Sequence, residues 1–376
     1  MNQPQIWDET VKKYIEMLIL PSDPAFPLWN RENFIFRKKT KWNYIDSCMI
    51  LAVIRLYKLL GDKRLLDYVA KFTNCYVDEN GDIPTMNSLD YNLDNVNGGR
   101  NLLWLYKKTN QKKYLLAAGK IINQLENQPR LKCGNFWHKA IYPNQIWLDG
   151  TYMAFPFMAE YAVSYDKLKL ISDIISQLEN IRKLMKDEKT GLYFHGFDET
   201  RSTVWADSSS GLSKNFWLRS IGWLCAALAD LCEILPECDV FRDMLTKLLT
   251  SLFVYANEDG TFFQLPALRT LKGNYPETSG TLLFAYSAIK AYRLKIVGES
   301  IKSAGIKAFS SVMKKYIGEE ENGLPTLENI CLTAGLGMGR DGSAEYYLSE
   351  KITQNDAKGI APLLMAYTQI KELNKI

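Results

Sequence analysis

The residues best placed to do chemistry begin with Asp149, in the stretch Trp147-Leu148-Asp149-Gly150-Thr151-Tyr152-Met153-Ala154-Phe155-Pro156-Phe157. The acid stands where a helix should begin. Its plainest role is an N-cap, its carboxylate oxygen accepting a free backbone N–H of the first turn. The aromatic crowd gives a second role. Apolar walls raise a carboxyl pKa toward what a general acid needs, whereas a helix N-terminus favours the charged form. A second carboxylate nearby would tip that balance. Asp94, in Asn92-Leu93-Asp94-Asn95-Val96, is expected to cap another helix in the equivalent way and to bring its charge to the same end.

Phe216-Trp217-Leu218-Arg219-Ser220-Ile221-Gly222-Trp223 adds a cation between two tryptophans at the start of a long apolar helix. An arginine there must find an anion. An internal salt bridge, to Asp207 or Glu277, would satisfy it. So would a substrate carboxylate, with Trp217 and Trp223 as flat faces for a sugar ring. His138 and His195, the only two histidines, lie in long aromatic loops. Either can be a packed hydrogen-bonding residue or a member of the site. Trp42 and Tyr44 open an earlier apolar helix and could line the same mouth or belong to the core.

Helices must position these groups. Apolar residues recur at helical spacing over 5–19, 44–60, 64–75, 94–109, 112–128, 150–165, 169–185, 216–235, 239–256, 276–296, 299–316 and 356–375. Extended pieces are expected only at 191–195 and 260–263. Very short polar links alternate with long loops rich in Gly, Trp, Tyr, Asp and Asn. A short link makes antiparallel neighbours. The chain therefore reads as six helix hairpins that can close into a ring of six inner and six outer helices. The fold class is all-α, and residues 1–376 are expected to form one domain. All long loops, and all the residues above, then gather at the N-terminal end of the inner helices.

Composition narrows the function. The 376 residues carry 46 Lys and Arg against 42 Asp and Glu, a net charge of +4. No strongly basic face and no Lys/Arg-rich run are expected, which disfavours nucleic acid and anionic membranes as partners. The first residues lack a signal-peptide pattern, and no apolar run reaches membrane-spanning length. Seven scattered cysteines without a Cys-x-x-Cys pair suit a reducing cytoplasm better than disulfides or zinc. With two histidines no metal site is expected. Gly337-Met338-Gly339-Arg340-Asp341-Gly342 fits a dinucleotide fingerprint in letters but lacks the strand and helix around it, and reads as a loop.

Taken together, these segments resemble the unsaturated rhamnogalacturonyl hydrolases of glycoside hydrolase family 105 and, more distantly, the unsaturated glucuronyl hydrolases of family 88. The resemblance rests on residues 91–94, 136–139, 141–150, 191–198, 216–219, 277–279 and 341–349. It implies an (α/α)6 barrel, Asp149 as general acid and base, and Asp94 as partner carboxylate. It also implies a sugar pocket containing His138, His195, Trp217, Arg219 and Trp223. The substrate would be an oligosaccharide ending in a 4,5-unsaturated uronic acid, cleaved by hydration of its double bond without metal or organic cofactor. The family usually reads Trp-x-Arg-x-Asn-Gly-Trp; Ile221 stands here at the Asn position, which implies one polar contact fewer. Other readings of the same toroid are a polysaccharide lyase, a carbohydrate-binding protein without turnover, and a helical scaffold.

Overall fold

The computed structural model describes residues 3–375. Met1, Asn2 and Ile376, the outermost residues of the expected domain and of its N-terminus, lie outside that range. Six helices form the inner ring: α3 (Tyr44–Leu60), α5 (Gly99–Thr109), α7 (Gly150–Tyr165), α9 (Leu218–Ile234), α11 (Thr278–Arg293) and α14 (Ala357–Leu373). Each packs on the next, and α14 returns to α3, so the ring is closed. Outside it run α1 (Gln3–Tyr14), α4 (Lys63–Asn74), α6 (Lys112–Glu126), α8 (Leu168–Met185), α10 (Asp239–Phe253) and α12 (Glu299–Lys315).

The sequence explains which helices go where. From Leu218 to Cys232 and from Thr278 to Ala291 every residue is buried, as an all-round apolar helix requires. By contrast, α6 buries Tyr114, Ala117, Ala118, Ile121, Ile122 and Leu125, one stripe at helical spacing. Each of the isoleucine and leucine side chains contributes on the order of 1.5–3 kcal/mol by leaving water. The inner helices α3, α5 and α7 end in left-handed residues, Gly61, Asn110 and Asp166, that turn the chain straight into its outer partner. Five hairpins are consecutive in the chain. The sixth pair joins the two ends: Tyr367 and Lys371 of α14 both bond Asp8 of α1.

Pro156 lies inside α7 and removes a ladder hydrogen bond to the carbonyl of Tyr152. Buried Asn97 offers its Nδ2 to that carbonyl at 3.5 Å. Far from the long loops, Asp230 of α9 is buried and accepts from Arg55 of α3 (3.0 Å), Arg100 of α5 (2.7 Å) and Lys290 of α11 (2.6 Å), and from the Tyr286 hydroxyl. This cluster ties four inner helices together.

Several expectations change. The helix foreseen over 94–109 is a 3-10 turn, Leu93–Val96, followed by α5 from Gly99. Gly98 lies directly under the Trp42 ring and Gly99 against Phe157, so the chain closes up there and the helix starts late. Helix α2 (Arg31–Phe36) and α13 (Ala344–Ser349) were not foreseen. Of the extended pieces, 191–195 contributes one bridge at Tyr193. The strand proper follows as β2 (Gly196–Asp198), antiparallel to β1 (Gln145–Trp147). Gly337, Met338 and Gly339 all have positive φ in a tight turn, as the loop reading requires. No helix of the described residues is long and apolar enough to cross a membrane.

Candidate active site

The β1–β2 ribbon sets Trp147 opposite Gly196, and Leu148 N–H donates to the His195 carbonyl at 2.9 Å. This register puts Asp149 beside His195. Asp149 occupies the N-cap position of α7, but its side chain makes no capping bond. The capping role expected from the sequence is therefore not the one taken. Its Oδ2 lies 3.1 Å from His195 Nε2, at ion-pair distance but outside hydrogen-bond alignment. That oxygen is buried and has no hydrogen-bond partner, while the side chain as a whole keeps 15% exposure through its other atoms. A buried, unpartnered carboxylate oxygen is costly unless a ligand or proton uses it.

Behind His195 stands Tyr347 of α13, its hydroxyl 2.6 Å from Nδ1. Burial holds the Tyr347 phenol far above its ordinary pKa, with Tyr346 and Asp149 adding to the effect. It keeps its proton, and the short contact with Nδ1 holds the imidazole in place with Nε2 turned toward Asp149. Tyr347 is thus the positioning group for His195. Tyr347→Phe is expected to lower turnover about tenfold, the worth of one net hydrogen bond, with the melting temperature little changed. Unaltered kcat in that variant would remove the hydroxyl from the account.

The second carboxylate is arranged differently. Leu93 N–H donates to the His138 carbonyl, and Gln128 clamps the carbonyls of Tyr91 and Trp137, which fixes Asp94 next to His138. Asn92, not Asp94, supplies the capping oxygen of this turn. Asp94 Oδ2 meets Lys139 Nζ at 2.6 Å, and Oδ1 lies 3.4 Å from His138 Nε2. Burial would raise the Asp94 pKa, but Lys139 and His138 outweigh it and hold the carboxyl below its usual value. Burial pushes His138 down to about 4 against the pull of Asp94. His138 is then largely neutral at pH 7, so Lys139, the larger of the two influences, is what holds Asp94 ionised there. Its charge is matched on the spot, where the sequence suggested a bare carboxylate.

Trp147 joins the two halves. It stacks on His138 at 4.7 Å and on Tyr142 at 4.5 Å, and meets His195 edge-on at 5.8 Å. The chain passes close to the histidine at Gly150, where a Cβ would meet Leu93 Cδ1 at 3.1 Å and His138 Nδ1 at 3.2 Å.

The other foreseen residues fall into two groups. Trp217 packs against His195 at 4.8 Å and is 1% exposed, a wall behind the histidine. Tyr44 lines the open cleft beside Asp94. Trp42 donates its indole N–H to the Asn95 carbonyl and supports the turn that carries Asp94. Trp223 stacks on Tyr152 in the barrel core. Arg219 is buried over the Trp217 ring; its Nη1 donates to Ser279 Oγ (3.2 Å) and the Cys331 carbonyl. Glu277, one of the two partners foreseen, lies 3.9 Å away; Asp207 instead accepts from Ser209 and Ser210 on the surface. Both hydrogen bonds of Arg219 among the described residues leave from Nη1, and none leaves from Nε or Nη2. Lys139 and Tyr347 stood in the matched segments without an assigned role. Neither signals itself, because each acts through a partner distant in sequence.

A closed ring of inner helices, opening on a carboxylate backed by histidine among aromatic walls, is the architecture of an (α/α)6-barrel glycoside hydrolase. The model of Glycosyl Hydrolase Family 88 matches residues 27–374, and the chain belongs to that family. A family 105 glycoside hydrolase from C. acetobutylicum ATCC 824 superposes with a TM-score of 0.87 at 32% identity, over 99% of this chain and 100% of that one. Protein Atu3128 of Agrobacterium fabrum is 37% identical over 228 residues, 58% of this chain and 97% of its own. The unsaturated rhamnogalacturonyl hydrolase YesR of Bacillus subtilis is 21% identical over 235 residues, 60% of this chain and 64% of its own. The likeness to families 105 and 88 that the motifs carried is borne out.

Proposed function

We propose that this glycoside hydrolase removes a terminal 4,5-unsaturated uronic acid from oligosaccharides left by a polysaccharide lyase, with rhamnogalacturonan-type fragments as its substrates. The observation that carries the reading is Asp149: freed from capping, with one buried unpartnered oxygen beside a histidine that Tyr347 orients. The unsaturated sugar is an enol ether. Asp149 protonates C4 and positive charge spreads over C5 and the ring oxygen. The same carboxylate, now ionised, takes a proton from water as it attacks C5. The hemiketal collapses and the glycosidic bond breaks. Asp94, fixed by Lys139, orients the sugar hydroxyls from the other side of Trp147. The name of the YesR relative supports the rhamnogalacturonan assignment. Seven free cysteines support a reducing, cytoplasmic setting, and the whole chain acts as one catalytic domain.

The test is the ultraviolet absorbance of the conjugated uronate. A panel of unsaturated disaccharides should lose it on incubation with the protein. A rise in absorbance from intact polysaccharide would indicate a lyase, and no change with tight binding a carbohydrate-binding protein.

Arg219 is the proposed clamp on the uronate carboxylate, through Nε and Nη2, which donate no hydrogen bond among the described residues. Arg219→Lys keeps the charge and loses the planar fork. KM is expected to rise by about tenfold or more, since charge-assisted bonds are worth roughly 1.5–3 kcal/mol. An unchanged KM would leave Arg219 as the internal partner of Glu277 alone.

A further inference from the structure

We infer that a basic, aromatic groove leading away from the catalytic mouth holds an acidic stretch of the oligosaccharide beyond the sugar that is removed. The inference rests on the hydrolase reading above and deepens it. Against the expectation from net charge, Arg37-Lys38-Lys39-Thr40-Lys41 is a dense basic run, placed between α2 and α3. A cleft of about 420 Å³ begins at Asp94, Lys139 and Tyr44 and reaches Lys39 and Lys41. A second, of about 530 Å³, lies against the same loop and is lined by Arg37, Phe26 and Phe34. The two share Asn33, Lys38 and Lys39.

Charge accounting shows what the groove lacks. Its acids are already engaged: Asp94 with Lys139 at 2.6 Å, and Glu32 with Lys358 at 3.1 Å and Lys38 at 3.6 Å. Arg37, Lys39 and Lys41 are exposed and have no carboxylate within ion-pair distance among the described residues. The N-terminus of α3, at Asn43, Tyr44 and Ile45, lines the first cleft and adds to the positive potential. At the far end Phe26 and Phe34 lie 4.5 Å apart with 39% and 36% exposure, flat apolar surface of the kind a sugar face covers.

The loop is also held in shape. Buried Asp46 accepts from Trp29 and Asn30 before the run and from Asn43 after it. Left-handed Arg37 ends α2 with its N–H on the Asn33 carbonyl and so fixes where the run departs. Cations on an anchored loop beside the mouth, unmatched by protein acids, call for uronate carboxylates on the following sugars.

The experiment compares three substrates: an unsaturated tetrasaccharide with further uronates, its methyl-esterified counterpart, and an unsaturated disaccharide with a neutral second sugar. The charged tetrasaccharide should show a KM about three- to tenfold below the esterified one, a gap that salt erases, as for two exposed ion pairs. In the double variant Lys39→Gln, Lys41→Gln the gap should vanish while the neutral disaccharide is turned over as before. Equal KM values in the wild type, or a gap that survives the double variant, would overturn the groove and leave the hydrolase reading standing. Failure to turn over any unsaturated substrate would instead remove the hydrolase reading. Equilibrium binding of the two tetrasaccharides then decides the groove alone: tighter binding of the charged one supports it, equal binding overturns it.

Discussion

Asp149→Asn is expected to lower turnover by about two to four orders of magnitude, the range for losing a positioned acid or base. The fold should not notice. The Asp149 side chain makes no capping bond, so an amide of the same shape removes no contact from α7. The new amide still fits beside His195, but it cannot give a proton to carbon or take one from water. The melting temperature and helix content should match the wild type, and substrate should still bind. Undiminished kcat in a folded variant would take Asp149 out of the chemistry.

The largest effect on stability is expected at the opposite end of the barrel. Asp230 is 1% exposed and faces two guanidinium groups and an ammonium group. Asp230→Ala leaves Arg55 without a carboxylate partner, while Arg100 keeps Glu160 and Lys290 keeps Glu233. Breaking a buried pair in this way costs about 3–5 kcal/mol, a large share of the roughly 5–15 kcal/mol that holds a domain together. Burial alone would raise the Asp230 pKa, but Lys290, Arg55 and Arg100 hold it well below the ordinary carboxyl value. A depressed folded pKa gives stability that is full above the unfolded value of about 4 and is lost as the pH falls below it toward the folded value. The advantage of the wild type over Asp230→Ala should therefore be complete at neutral pH and shrink in acid. Denaturant midpoints at both pH values check this. Equal midpoints at pH 7 would mean that the cluster adds nothing.

Much of this architecture is legible in the residues. Helical periodicity marks the twelve barrel helices, and the alternation of short and long links orders them into a ring. Local chemistry marks Asp149, His138 and His195 as candidates. The pairings between them are not local. Asp149 meets His195 through a two-stranded ribbon, and His195 meets Tyr347 across a long loop, so no spacing rule reveals either. Asp94 was misplaced for a different reason. Periodicity carries through Asn97-Gly98-Gly99, but the close approach of Trp42 and Phe157 delays the helix to Gly99. The Arg219–Glu277 proximity was one of two foreseen outcomes, since an arginine on an apolar helix must meet an acid somewhere nearby. The basic run at 37–41 was hidden by averaging charge over the whole chain.

The central claim is that the glycosidic bond breaks because Asp149 hydrates the neighbouring double bond. An unsaturated uronide joined through sulfur in place of oxygen tests it most directly. Direct displacement needs a proton on the linking atom, and sulfur accepts one poorly. Hydration places the proton on C4 and leaves the linking atom alone until the hemiketal collapses. The account predicts that the sulfur-linked and oxygen-linked substrates lose their ultraviolet absorbance at comparable rates, and that both fail with Asp149→Asn. Rapid turnover of the oxygen-linked substrate beside an untouched sulfur-linked one would contradict it.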